Sequence, residues 1–250
     1  MSLFQSLRVR RSQGTQYIRD LRSALPAGLR GLPVISEGPC GDCRACLEVC
    51  PTAALTLDPV RLDLARCIFC AECEDACPAG SIRFSNEPKL GAARRADLVR
   101  GAGPAEPLRV EASKPFAKLF GRSLKLRQVS AGGCNACELE LNAAANVNFD
   151  VQRFGIEWVA SPRHADALVL TGPLTENMKE AVRLAWDAMP EPRFLVAVGA
   201  CAISGGLYRE GAATDRTFLE SVGPALFVPG CPPHPLTFVN ALLDFLGIAP

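Results

Sequence analysis

Cys40-Gly-Asp-Cys43-Arg-Ala-Cys46-Leu-Glu-Val-Cys50-Pro51 is answered 27 residues later by Cys67-Ile-Phe-Cys70-Ala-Glu-Cys73-Glu-Asp-Ala-Cys77-Pro78. Both runs read C-x2-C-x2-C-x3-C-P. The residues after them repeat as well: Pro51-Thr-Ala-Ala-Leu55-Thr-Leu57 matches Pro78-Ala-Gly-Ser-Ile82-Arg-Phe84, and each tail reads as a short helix and then a short strand. Three thiols within seven residues can wrap one corner of a metal–sulfur cubane. Zinc sites instead pair one C-x2-C with a distant second pair, so two duplicated tight runs do not fit zinc.

Composition agrees. The chain has 250 residues, 48% hydrophobic and 21% charged, enough for one or two domains with a buried core. A net charge of +1 argues against a broadly basic nucleic-acid binder. Twelve cysteines stand beside only two histidines, His164 and His234. No apolar run reaches the roughly 18 residues of a membrane helix. Arg10-Arg11 is followed by Ser12-Gln13-Gly14-Thr15 rather than an apolar stretch, so it does not read as an export signal. The expected location is the reducing cytoplasm, where thiols serve metals more often than disulfides.

Four segments emerge. Residues 1–31 are a basic leader with six Arg against one Asp, in which Leu3, Phe4 and Leu7 share helical spacing with Arg8, Arg10 and Arg11. This suits either an amphipathic helix on a membrane or partner surface or a partly ordered tail. Residues 32–86 hold the duplicated cysteine runs. Residues 87–123, with Pro88, Pro104, Pro107 and Pro115 and basic residues such as Lys89, Arg94 and Arg109, read as a linker that wraps a partner or a neighbouring domain. From 124 to 250, apolar runs at Leu124–Val129, Ala167–Leu170, Phe194–Val198 and Leu226–Val228 alternate with helical stretches near 137–146, 174–187 and 235–247. The expected fold is an α+β two-cluster ferredoxin-like domain, then an α/β flavodoxin-like domain with a mostly parallel sheet.

The duplicated runs match two-cluster bacterial ferredoxins, in which the fourth cysteine serves the other cluster. On that match one [4Fe-4S] cluster takes Cys40, Cys43, Cys46 and Cys77, and a second takes Cys67, Cys70, Cys73 and Cys50. Four cysteines remain. Cys134 and Cys137 follow the first α/β strand, Cys201 the strand ending in Val-Gly-Ala, and Cys231 the strand ending in Val-Pro-Gly. Ligands in open α/β sheets bind beyond the carboxyl ends of strands, so these thiols can converge on a third cluster. A C-x2-C redox pair beside two buried cysteines is the plainer alternative. No Rossmann fingerprint or P-loop is present.

Gly133-Cys-Asn-Ala-Cys137-Glu-Leu-Glu140, Arg153-Phe-Gly155, Ser161-Pro-Arg-His-Ala-Asp166, Gly199-Ala-Cys201, Gly205-Gly206 and Pro229-Gly-Cys-Pro-Pro233 together resemble the small subunit of membrane-bound, energy-converting [NiFe] hydrogenases, the formate hydrogenlyase type included. That family is related to the B subunit of respiratory complex I. The first half resembles the two-cluster ferredoxin subunit of the same complexes, so the chain looks like a fusion of two neighbouring subunits. The resemblance implies that Cys134, Cys137, Cys201 and Cys231 hold the proximal cluster, giving three [4Fe-4S] clusters. It implies a hydrogenase-type large subunit, membrane-embedded subunits, and a formate-dehydrogenase-type or ferredoxin donor as partners. It places the chain on the inner face of the cell membrane, as an electron-transfer subunit with no complete active site of its own. The alternatives are a nickel-free, complex I-like quinone oxidoreductase and a non-redox, metal-stapled assembly scaffold. The C-x2-C at 134–137, where complex I homologues carry adjacent cysteines, favours the hydrogenase branch.

Other residues carry weaker signals. Glu138 and Glu140 follow the third cysteine pair and suit either proton coupling or a helix start. Arg153 and Arg163 fit surface or interface pairing, and His164 a turn. His234 fits a helix start and Asp166 a turn closure. The family's acid before Arg-Phe-Gly is Gln152 here.

Overall fold

The computed structural model describes residues 3–14, 17–36, 40, 42–103, 106–108, 110–111 and 113–248. Pro104 and Arg109 of the expected linker lie outside the described residues.

Helix α1 (Leu3–Gln13) buries none of its residues, and its Leu3 and Phe4 are exposed. The rest of the leader is not a tail. Leu21 is buried in the core of the C-terminal half. Arg22 Nη1 meets Asp244 Oδ1 at 2.5 Å, Nη2 donates to the Ile248 carbonyl at 3.0 Å, and Asn240 Nδ2 donates to the Leu21 carbonyl at 3.0 Å. Arg153 donates to the Ile18 carbonyl at 2.9 Å with its guanidinium over the Tyr17 and Phe154 rings. The leader thus straps the far domain before the chain enters the cysteine-rich module.

That module is small and pseudo-symmetric. Strand β1 (Pro33–Ile35) leads to the helical turn α2 (Ala45–Glu48), then β2 (Leu55–Thr56), β3 (Arg61–Asp63), the helical turn α3 (Glu72–Asp75) and β4 (Ile82–Phe84). β1 pairs antiparallel with β4, while β2, β3 and a later strand, β5 (Val99–Gly101), make a second small sheet. The helical turn comes before the fourth cysteine of each run, not after it as the tails suggested. Pro51 and Pro78 account for this, because the residue before proline is pushed out of helical conformation.

The described residues of 87–123 pack against both halves. Ala92 exchanges backbone hydrogen bonds with Phe227, and Leu98 is fully buried. Helix α4 (Lys114–Phe120) packs Phe116 against Phe194 and Phe245 at ring separations of 4.8 and 5.6 Å.

The C-terminal half follows the predicted alternation: β6 (Leu124–Ser130), α5 (Ala136–Ala144), β7 (Ile156–Trp158), β8 (Ala167–Thr171), α6 (Glu176–Asp187), β9 (Phe194–Val198), α7 (Gly199–Ser204), α8 (Thr217–Val222), β10 (Leu226–Val228) and α9 (Pro235–Phe245). The five strands are parallel, in the order β10-β9-β8-β6-β7. Numbered within the domain this is 2-1-3-4-5, the flavodoxin-like order, whose switch point lies between β6 and β8. Alternate strand residues face opposite sides. Leu126, Val169, Val196 and Val228 enter one core with α9, and Leu168, Leu170 and Leu195 enter another with α6. Ala197 and Phe227 instead join Leu64, Phe69 and Leu98 in a core shared with the cysteine-rich module. The two modules are therefore one packed body.

Leu98 tests this. Leu98→Ala leaves a cavity in the shared core and lowers stability by about 2–5 kcal/mol. Denaturant unfolding of the full chain under argon checks it. A change within about 0.5 kcal/mol, as at an exposed site, contradicts the shared core.

Candidate metal centres

The crossed pairing has a geometric counterpart. Cys40, Cys43, Cys46 and Cys77 line one cavity together with Val60 and Ile82. Cys50, Cys67, Cys70 and Cys73 line a second, with Leu62 and Phe84. The last cysteine of each run is carried into the other run's cavity by the turn that its proline begins. Among the described residues, no three His, Cys, Asp or Glu side chains are disposed to hold a single metal ion. Each of these two sets of four thiols faces one shared cavity.

The electrostatics fit an iron–sulfur group. Burial pushes the Cys67 thiol up to about 12 and Cys73 to about 11, and the neighbouring thiols add to this. Cys46 is raised by burial and then by Cys77, Cys40 and Cys43. Cationic iron is what makes thiolates favourable at such positions. Backbone donors are already aimed at sulfur: Ala54 N–H at Cys50 Sγ, Phe69 N–H at Cys67 Sγ and Ser81 N–H at Cys77 Sγ, each at 3.3 Å. At Cys77 burial works upward, but the N–H groups of Ser81, Ala79 and Ile82 and the Ser81 hydroxyl outweigh it and hold the thiol below its ordinary value. Phe69 and Ala71, on either side of Cys70, both take positive φ. This uncommon conformation lets the chain turn around the site.

The third set gathers at the carboxyl ends of the parallel strands. Cys134 lies in the loop after β6 and Cys137 on the first turn of α5; Cys201 lies on α7 after β9, and Cys231 in the loop after β10. The loops after β6 and β8 touch where the strand order reverses, and a Cβ on Gly172 would lie 2.7 Å from Gly133 N. Burial raises the Cys137 thiol to about 12, followed by Glu138, Cys201, Cys231 and Cys134. Burial raises Cys201 to about 11, with Cys231 and Cys134 contributing and Arg216 opposing. Cys231 is raised by the protein packed around its sulfur and then by Cys134 and Cys70, although the residue's outer edge is open to solvent. Two glycines make the room. A Cβ on Gly199 (φ +88°) would stand 2.7 Å from Cys137 Sγ, and one on Gly206 (φ +52°) 3.0 Å from Cys201 Sγ.

The weaker candidates separate. Glu138 turns inward, where its carboxylate accepts from the fully buried Thr171 hydroxyl at 2.6 Å, and Gln128 Nε2 donates to the same hydroxyl at 2.9 Å. Glu140 is half-buried, and burial raises its carboxyl. Arg153 pins the leader, while Arg163 and His164 are exposed on a short turn. Asp166 accepts from Lys125 N at 2.7 Å and so registers β6 against β8, a strand tie rather than a turn closure. His234 caps α9 by accepting from Leu236 N at 3.1 Å; burial lowers its pKa, so the ring is neutral. Gln152 is exposed. The Thr171 knot gives a stability test. Thr171→Val strands both partners and costs about 1–3 kcal/mol. The check is the thermal midpoint of the full chain, and an unchanged midpoint contradicts the knot.

Sequence reasoning missed two arginines. Arg30 Nη1 donates to the carbonyls of Phe69 and Cys70 at 3.0 and 2.7 Å, and Arg216 does the same around Cys201. Neither lies in a cysteine motif, so no local signal marks them.

Two family profiles match the chain: "4Fe-4S dicluster domain" over residues 39–81, and "NADH ubiquinone oxidoreductase, 20 Kd subunit" over residues 134–245. The chain is 38% identical over 128 residues to a Pyrococcus furiosus protein named probable membrane-bound hydrogenase subunit mbhJ, a match covering 51% of this chain and 77% of that one. It is 38% identical over 135 residues to formate hydrogenlyase subunit 7 of Escherichia coli, covering 52% and 51%. It is 43% identical over 113 residues to the B subunit of NADH-quinone oxidoreductase of Desulfovibrio desulfuricans, covering 45% and 58%. The chain thus spans about half the length of the two latter relatives. With a dicluster domain ahead of it and the parallel-sheet domain aligned over most of a relative's length, the chain belongs to the family of the 20 kDa subunit of NADH ubiquinone oxidoreductase.

Proposed function

We propose that this chain is the electron-transfer subunit of a membrane-associated [NiFe] hydrogenase of the energy-converting, formate hydrogenlyase-like type. In this reading Cys40, Cys43, Cys46 and Cys77 hold a first [4Fe-4S] centre, Cys50, Cys67, Cys70 and Cys73 a second, and Cys134, Cys137, Cys201 and Cys231 a third. Bound there, each cubane supplies a site that takes up and gives back one electron. The observation that carries the proposal is that the thiols gather in three sets, two lining cavities and one beyond the carboxyl ends of the strands, which we read as a row. Cys46 bears on Cys73 between the first and second sets, and Cys70 on Cys231 between the second and third.

The ends of that row are open. Cys43 is exposed at one end, and Cys134 and Cys231 at the other. A donor module fits the Cys43 end. A large subunit fits the other, where Leu139 of α5 and Leu207 and Tyr208 after α7 are also exposed. Between the ends the chain's work is insulation and tuning. Leu62, Leu64 and Ile82 exclude water, and the Phe69 and Phe84 rings meet edge-on at 6.0 Å beside the second set. The N–H groups aimed at sulfur favour added negative charge. No helix among the described residues is long and apolar enough to cross a membrane. The membrane association in this reading comes from partner subunits.

The 43% identity to the B subunit of an NADH-quinone oxidoreductase supports a second reading, the same wire serving a nickel-free large subunit. Metal analysis of the native complex, purified anaerobically through a tag on this chain, separates the two. Nickel stoichiometric with the chain supports the hydrogenase. Full iron without nickel moves the function to the quinone-type oxidoreductase.

A further inference from the structure

Arg216 lies just before α8, far in sequence from any cysteine motif, yet its guanidinium closes on the backbone that carries Cys201. Nη1 donates to the Cys201 carbonyl at 3.3 Å, and Nη2 to the carbonyls of Ala202 and Ile203 at 3.1 and 2.8 Å. These are carbonyls of the short helix α7, and a cation suits that end of a helix.

The electrostatics go beyond capping. The side chain is half-buried, and all three of its acceptors are neutral. The neighbouring cations have their own carboxylates: Arg95 meets Asp63 at 2.6 Å and Arg209 meets Glu210 at 3.5 Å. Among the described residues Arg216 forms no such ion pair: the carboxylate of the adjacent Asp215 is taken up by Lys179 and Thr217, and Glu220, one turn further on, is exposed. A half-buried unpaired charge is unfavourable unless something nearby offsets it. The group it bears on is Cys201, whose own carbonyl accepts from the guanidinium.

Resting on the three-centre reading above, we propose that Arg216 is a positioning residue of the third centre, holding its reduction potential up by presenting a half-buried, unpaired cation to Cys201. Reduction of that centre adds one electron and one negative charge, with no bond made or broken. A fixed cation beside one ligand stabilises the reduced form more than the oxidised one. Arg30, the similar arginine on Cys70, acts from an exposed position where water and salt screen its charge.

The test is a dithionite titration of the anaerobic native complex, followed by electron paramagnetic resonance, for wild type, Arg216→Gln and Arg216→Lys. In Arg216→Gln the reduction equilibrium constant of the third centre falls at least tenfold, a drop of 59 mV for a one-electron couple. The other two centres titrate as before. Arg216→Lys keeps the charge but not the fork, and recovers most of the potential. Three results overturn the proposal: both variants titrate like wild type, both fall equally, or Arg216→Gln loses the third signal altogether. Equal falls or a lost signal would mean that Arg216 serves only as the cap of α7. A wild-type complex with no third signal defeats the three-centre reading itself, which is a distinct outcome.

Discussion

Alanine at position 199 is expected to abolish the proposed third centre and leave the other two intact. Gly199 is buried at the junction of β9 and α7, with φ +88°. A methyl group there meets Cys137 Sγ at 2.7 Å, closer than real Cβ contacts come. The Gly230 carbonyl at 3.6 Å and the Pro233 ring at 3.9 Å already touch the added carbon, so it cannot back away and the sulfur must leave its place. Gly199→Ala therefore loses about four of the about 12 irons expected for three cubanes. Turnover of the whole complex falls at least a hundredfold, since the exit of the wire is gone. Gly223→Ala is the control: φ is +72° and nothing lies within 4 Å of the added carbon, so backbone strain is present without the sulfur contact. If Gly199→Ala retains full iron, or if Gly223→Ala loses as much, crowding of Cys137 is not what that glycine prevents.

The crossed pairing predicts a second large effect. Cys77→Ser behaves like Cys40→Ser, although the two are 37 positions apart in the chain. It does not behave like Cys73→Ser, four positions away. The reason is the cavity in which Cys77 Sγ sits, lined by Cys40, Cys43 and Cys46. Each first-centre variant removes or degrades one cubane and leaves the same resonance signals from the remaining two. Cys50→Ser in turn matches Cys67→Ser. Activity of the complex falls at least a hundredfold in all five, because each breaks the row. If Cys77→Ser instead gives the residual spectrum of Cys67→Ser, each run keeps its own fourth cysteine and the crossing is wrong.

Much of this was legible in the chain because cysteine spacing is a local property. The duplicated runs, the lone pair at Cys134 and Cys137, and the glycine-rich turns ahead of Cys201 all stand out by residue type. The strands Phe194–Val198 and Leu226–Val228 were legible as apolar runs ending in turns, and their observed bounds are the same. Strand β7 was not, since three residues, Ile156–Trp158, give periodicity nothing to act on. Nor was α4, where Pro115 and two lysines read as linker although Phe116 is held by aromatic contacts from distant strands and helices. The Arg22–Asp244 tie, the inward turn of Glu138 to Thr171 and the grip of Arg216 on α7 are all set by tertiary contact. An arginine beside a cluster looks, in sequence, like any surface arginine.

The central claim is that twelve thiols in three sets hold three cubanes in a row. Iron per chain in the native complex, corrected by Mössbauer spectroscopy for iron held by partner subunits, tests it most directly. The account predicts about 12 irons on this chain, all in [4Fe-4S] environments. About eight, with Cys134 and Cys231 open to thiol reagents in the native complex, would contradict it.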